Sequence, residues 1–171
     1  MAQVCLLDSN RLSQLLHDAL SWSDKIASLM VSAKNGSILA YAFRDATPSI
    51  KSLRTLSTTM TAAYTVASED ILIFEAQNTG AISVITPIAD HILLAVTGPS
   101  RGASKGMGGS MYDHHDHRGE VDTPVDEVED ASDDDRDDDQ EQLRTDLEGI
   151  SQELASLLQD ELADFKWPAD V

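Results

Sequence analysis

Cysteine is almost absent from this sequence: Cys5 is the single one in 171 residues. No intramolecular disulfide can form, which suits a reducing compartment. Aromatic residues make up only 5% of the chain, so any core has to be built from aliphatic side chains. Long apolar runs are missing too. None approaches the roughly 20 residues that cross a bilayer, and the start "MAQVCLLDSN" has neither a basic leader region nor the glycine that myristoylation requires. Direct membrane insertion is therefore not expected, and any membrane association is expected to come through a partner. A basic patch is the last absence. With 12 Lys and Arg against 30 Asp and Glu, the net charge is −18, and nothing gathers the cations that phosphate binding needs. A nucleic-acid partner is excluded on that ground.

The excess acid is local. Residues 1–112 carry eight basic and eight acidic groups, a net charge of zero, whereas residues 113–142 carry 15 acidic and two basic ones. The length suits one domain with appendages. Residues 1–98 read as its core. Residues 99–139, Gly- and Ser-rich and then acidic, lack the apolar surface to offset ordering entropy and read as a disordered insertion. Residues 140–167 read as a helix packing back on the domain, with Leu143, Leu147, Ile150, Leu154, Leu157, Leu158, Leu162 and Phe165 mostly three and four apart and Pro168 as its stop.

Within the core, Leu12, Leu15, Leu16 and Ala19 form a helical stripe behind Asp8 and Ser9, either of which can cap it. "KIASLMVSA" and "SILAYAF" flank Asn35-Gly36, a pair suited to a type I′ hairpin. Thr47 and Pro48 read as the cap and first turn of a long helix. Its apolar residues Leu53, Leu56, Met60, Ala63, Tyr64 and Ala67 fall within about 140° of the helix circumference. Its four or more threonines are poor helix formers, so packing must hold it. Residues 71–76, 81–88 and 91–98 are β-rich runs joined by short links, hence antiparallel neighbours. The expected fold is α+β, in the order α-β-β-α-β-β-β-α, with a five-stranded antiparallel sheet.

Chemistry is hard to assemble from these residues. "DHHDH" at 113–117 brings His114, His115 and His117 together, but in a tract with no fixed surroundings to orient ligands. The Gly-rich run at 98–109 lacks the spacing of a phosphate loop. Cys5 precedes the domain, and His17 and His91 read as partly buried, hydrogen-bonded histidines. No nucleophile pairs with a base, and Arg44, Arg54 and Arg101 offer no obvious arginine finger. No catalytic activity, cofactor or metal is expected. Trp22 and Tyr64 read as core or interface aromatics.

The order of elements, with "NGSILAYA", the helix ending "TAAY" and "ILIFEAQNTGAISVITPIADHILLAV", resembles the roadblock/LC7 domain family over residues 9–98. Within it the similarity is greatest to the roadblock subunit of the Ragulator complex and its fungal EGO-type counterpart. The long acidic insertion departs from that family, which has a short connection there. The resemblance implies a non-enzymatic scaffold that forms a heterodimer with a second roadblock-domain protein. It further implies a lipidated membrane-anchoring subunit and Rag-type small GTPases as partners. The setting would be a guanine-nucleotide exchange factor complex on the cytosolic face of the late endosome, lysosome or vacuole, in amino-acid signalling to TORC1. The alternative is a homodimeric roadblock regulator of a small GTPase. The partner-facing residues are then expected to be Ile50, Leu53, Ser57, Met60 and Tyr64 on the long helix, with Ile71, Ile73 and Glu75 on the strand after it.

Overall fold

The computed structural model describes residues 8–45, 47–67, 70–76, 80–100 and 134–163. Cys5, Asn78, Thr79, Arg101, the three histidines at 114, 115 and 117, most of the expected insertion, Phe165 and Pro168 lie outside them.

Eight elements follow one another: α1 (Ser9–Leu20), β1 (Ser28–Ala33), β2 (Ile38–Phe43), α2 (Ile50–Ala67), β3 (Leu72–Ala76), β4 (Ala81–Ala89), β5 (Ile92–Thr97) and α3 (Asp134–Leu162). The strands form one antiparallel sheet in the order β2-β1-β5-β4-β3. The pairing of β1 with β5, Ser28 opposite Thr97 through Ala33 opposite Ile92, puts two strands distant in sequence side by side near the middle.

Alternation sorts the side chains to two faces. Leu29, Val31, Val84, Leu94 and Val96 join Leu12, Leu16 and Ala19 of α1 and Leu147, Leu154 and Leu158 of α3 in the larger core. Met30, Ile85, Leu93 and Ala95 point the other way, to Met60 and Leu56 of α2. With both faces covered, every residue of β1 is buried.

Helix α1 starts where Asp8 accepts the N–H groups of Asn10 and Arg11, both at 3.1 Å, satisfying donors that a helix start leaves without partners. The hairpin differs from the expected type I′ turn. Gly36 N–H donates to Ala33 O at 2.8 Å, which centres the turn on Lys34 and Asn35, and Gly36 takes up a left-handed step at φ 86. Asn35 Oδ1 accepts Ser37 N–H at 3.0 Å. A separate register shift lies farther from the turn, between Val31 and Ser32, where Leu39 is the extra residue of a bulge. The cap of α2 also lies later than Thr47: Ser49 Oγ accepts Ser52 N–H at 3.2 Å and Ser49 O accepts Leu53 N–H. Pro48 thus precedes the helix instead of opening it.

The length of α2 follows from topology. It joins β2 on one sheet edge to β3 on the other, four strand spacings of roughly 4.8 Å, or about 19 Å. Its 18 residues span about 27 Å, enough to cross obliquely. Its threonines are accommodated by returning their hydroxyls to the helix backbone: Thr61 donates to Ser57 O at 2.9 Å and Thr65 to Thr61 O at 2.7 Å.

Helix α3 lies across β4 and β5. It begins at Asp134 and ends at Leu162, so it takes in acidic residues upstream of Gln140 that suit a helix N-terminus. Leu147 sits so close to β5 that a Cβ on Gly98 would come within 2.9 Å of its Cδ1. Polar links fix the helix along its length. Arg11 donates to Glu161 at 2.5 Å, Lys25 pairs with Asp146, and fully buried Ser151 shares a 2.8 Å hydrogen bond with Thr86 of β4. The Lys25 hydrogen bond holds the Asp146 carboxyl below its usual range, against the opposing effect of desolvation. What that pair contributes is therefore present above the ordinary carboxylate pKa and lost as the pH falls through the lowered one. Ser151→Ala strands the Thr86 hydroxyl without its partner and is expected to cost about 1–3 kcal/mol in a urea melt. A variant within about 0.3 kcal/mol of the parent would place the register of α3 elsewhere.

Candidate partner interface

Arg44, the first basic residue after β2, illustrates how few polar groups are left over. Its Nε donates to Ile26 O at 2.8 Å and one terminal nitrogen reaches Leu20 O at 2.5 Å and Ser23 O at 2.6 Å. The guanidinium thus ties the end of α1 to the entry of β1. His17 and His91 are both exposed, correcting the expectation of partly buried histidines, and Trp22 is 45% exposed at the end of α1. Among the described residues no three His, Cys, Asp or Glu side chains gather as a metal site, and no helix is long and apolar enough to cross a membrane.

The unusual element is β3. Among the described residues it pairs with β4 alone, Leu72 opposite Ile85 through Ala76 opposite Ala81, and its other edge is open. Leu72, Ile73, Phe74 and Ala76 are all only half-buried, although every Ile, Leu and Val of β4 and β5 is buried. The opposite edge strand, β2, also pairs on one side only among the described residues, with β1; α1 packs on one of its faces and buries Ala40 and Ala42, while Ile38, Leu39 and Phe43 are half-buried and Tyr41 is exposed.

The eight expected interface residues divide three ways. Leu53 and Met60 are buried, Met60 in the chain's own second core cluster. Ser57 is fully buried and donates to Gly36 O at 2.9 Å, docking the hairpin turn onto α2. These three face inward. Ile50 is 69% exposed, and Tyr64 is half-buried with the Lys34 ammonium 5.9 Å from its ring centre. Desolvation, and then the Asp70 charge, push the Tyr64 phenol above its ordinary pKa. Ile71 and Ile73 pack toward α1 and α3, and Glu75 accepts Gln140 Nε2 at 2.6 Å. They therefore lie on the sheet face away from α2.

Sequence reasoning missed Leu72 and Phe74, the β3 residues on the α2 face. The signal was present, because period-2 alternation in "LIFEA" sends positions 72 and 74 opposite to 73 and 75. On that face α2 makes its main contact with β1. It leaves a groove of about 630 Å³ toward β3 and β4, lined by Lys51, Thr55, Leu56, Thr59, Phe74 and Ala81 among others. On the other face a second groove of about 670 Å³ runs between β3 and α3, lined by Ile73, Glu75, Gln140, Glu141, Arg144 and Glu148 among others. An open strand edge thus lies between two grooves.

No family model matches the sequence, and no curated protein matches it. Solved structures do. MglB from Myxococcus xanthus superposes with a TM-score of 0.54 at 10% identity, over 96% of this chain and 97% of that one. A roadblock/LC7 domain from Streptomyces avermitilis matches 51% of this chain and 77% of its own at a TM-score of 0.44 and 10% identity. The gliding protein MglB from Thermus thermophilus matches 58% and 80% at 0.45 and 15% identity. The chain has the roadblock/LC7 fold. In this roadblock fold the last helix docks on the sheet face opposite α2, and the open β3 edge stands between them.

Proposed function

We propose that the chain is a non-catalytic scaffold subunit that pairs with a second roadblock-domain protein along α2 and the edge of β3. The observation that carries this reading is β3 itself, an apolar strand half-buried on both faces and open on one edge. Soluble proteins cover such edges, because an unpaired one templates indiscriminate strand addition, and pairing it with another chain satisfies backbone and side chains together. The groove beside α2, with Leu56 and Phe74 at its base, gives a partner helix a place to lie.

In its finer form the proposal assigns this pair to a Ragulator- or EGO-like complex, held by a lipidated subunit on the late endosomal, lysosomal or vacuolar surface, where it anchors Rag-type GTPases for TORC1 signalling. Native purification of the tagged chain tests it. A roadblock-domain protein, a lipidated subunit and a Rag-type GTPase are expected to co-purify in stoichiometric amounts, and a chain recovered without a roadblock partner would sink the proposal.

The rival reading, a homodimeric regulator that stimulates a small GTPase, needs a cation presented to the transferred phosphate. Arg44 is occupied by three backbone carbonyls, Arg101 lies outside the described residues, and of the three arginines considered Arg54 on α2 is exposed. A scaffold is expected to leave GTP hydrolysis within about twofold of the GTPase alone, whereas arginine-assisted stimulation is on the order of 10³-fold or more.

A further inference from the structure

The two grooves beside the β3 edge differ in charge. Helix α2 lines its groove with Lys51 and carries no acidic residue. Helix α3 carries 11 acidic residues and two basic ones in its sequence, and the wall it shares with β3 presents Glu75, Glu141 and Glu148 around the single cation Arg144. Glu75 and Glu141 are exposed and Glu148 half-buried. A strand added to β3 sends alternate side chains to either face, so every second residue on that strand would project along this carboxylate-rich wall.

A second copy is a poor occupant. Two identical edges pair about a twofold axis, and for a continuous antiparallel sheet that axis stands perpendicular to it, so both α3 helices fall on the same side of the seam. Each acidic wall would then face its own copy. We propose that the β3 edge selects an unlike chain, one whose pairing strand or flanking helix brings Lys and Arg to the α3 side, and that like charge resists self-pairing. This rests on the reading of β3 as the pairing edge. It adds what kind of partner that edge accepts.

The test uses full-length chains and sedimentation velocity. Glu141→Lys/Glu148→Lys reverses two charges on the wall, and Glu153→Lys/Asp160→Lys, at exposed positions of the same helix outside the groove lining, changes the net charge equally. Mixed with the parent at about 50 mM salt, the wall variant is expected to form a mixed dimer at least about tenfold enriched over either homodimer. That enrichment should collapse near roughly 500 mM salt, where the screening length falls well below 10 Å. The control variant should show no enrichment, and exchange-protected β3 amides should identify the seam. Equal enrichment by the control would mean that bulk attraction to the acidic tract drives the mixing and would overturn the inference. So would statistical proportions of dimers, or mixing that is indifferent to salt, although either leaves β3 pairing intact. No dimer of any composition at either salt would remove the pairing reading itself.

Discussion

Ending the chain at Asp133, so that α3 is lost, abolishes the cooperative unfolding transition and drives the remainder into aggregates. Leu147, Leu154 and Leu158 are 0–2% exposed and belong to the same core cluster as Val84, Leu94 and Val96. Burying three leucines contributes about 5–9 kcal/mol, comparable with the entire stability of a small domain, about 5–15 kcal/mol. Deletion removes that contribution and also bares the apolar face of β4 and β5, a patch soluble monomers rarely tolerate. Leu154→Ala is the graded version, with an expected loss of about 2–5 kcal/mol. Urea denaturation, dye binding to exposed apolar surface and size-exclusion chromatography report the result. A truncated chain that stays soluble and monodisperse with an unchanged midpoint would mean that α3 is a free docking element.

Proline in β3 separates the two roles of that strand. N–H groups of successive residues in a strand point to opposite sides, so one of Ile73 and Phe74 donates toward β4 and the other toward the open edge. Ile73→Pro and Phe74→Pro are therefore expected to behave differently. One loses a ladder hydrogen bond and about 1–3 kcal/mol of stability. The other keeps its melting temperature within a few degrees while partner binding weakens by about tenfold or more, because the edge donor is gone and the ring obstructs the approach. Equal binding by both variants, with the fold retained, would remove β3 from the interface.

The sequence and the structure agree most where periodicity is strong. The stripe of α1 and the leucine repeat of α3 each encode one buried face, the β-rich runs of β4 and β5 encode strands buried on both, and burial is what those residue types report. The order of strands was not legible, because the pairing of β1 with β5 joins residues 59 to 69 positions apart and no local pattern records a neighbour. The buried Ser57 and Thr61 of α2 were misleading for a related reason. A hydroxyl that donates to a backbone carbonyl can be buried at little cost, so Ser57, expected to face a partner, docks the chain's own hairpin turn instead. The hydrogen bonds of Arg44 to three carbonyls likewise depend on where α1 ends relative to β1.

The expected interface positions were legible only as places in the fold. The apolar strand after the long helix does lie at a sheet edge, but Leu53, Ser57 and Met60 are buried within the chain itself, and Leu72 and Phe74 are the β3 residues on the α2 face. The charge contrast between α2 and α3 was visible in the composition, yet its relation to the open edge appears only once α3 is seen to dock beside β3.

Amide hydrogen exchange, measured on the chain alone and in the assembly purified natively around it, bears most directly on the claim that the β3 edge is an interface between chains. The β3 amides that point away from β4 should exchange rapidly in the isolated chain and at least about tenfold more slowly in the assembly, with amides in α3 little changed. Equal exchange of β3 in both states, with new protection at β2 or α1 instead, would contradict it.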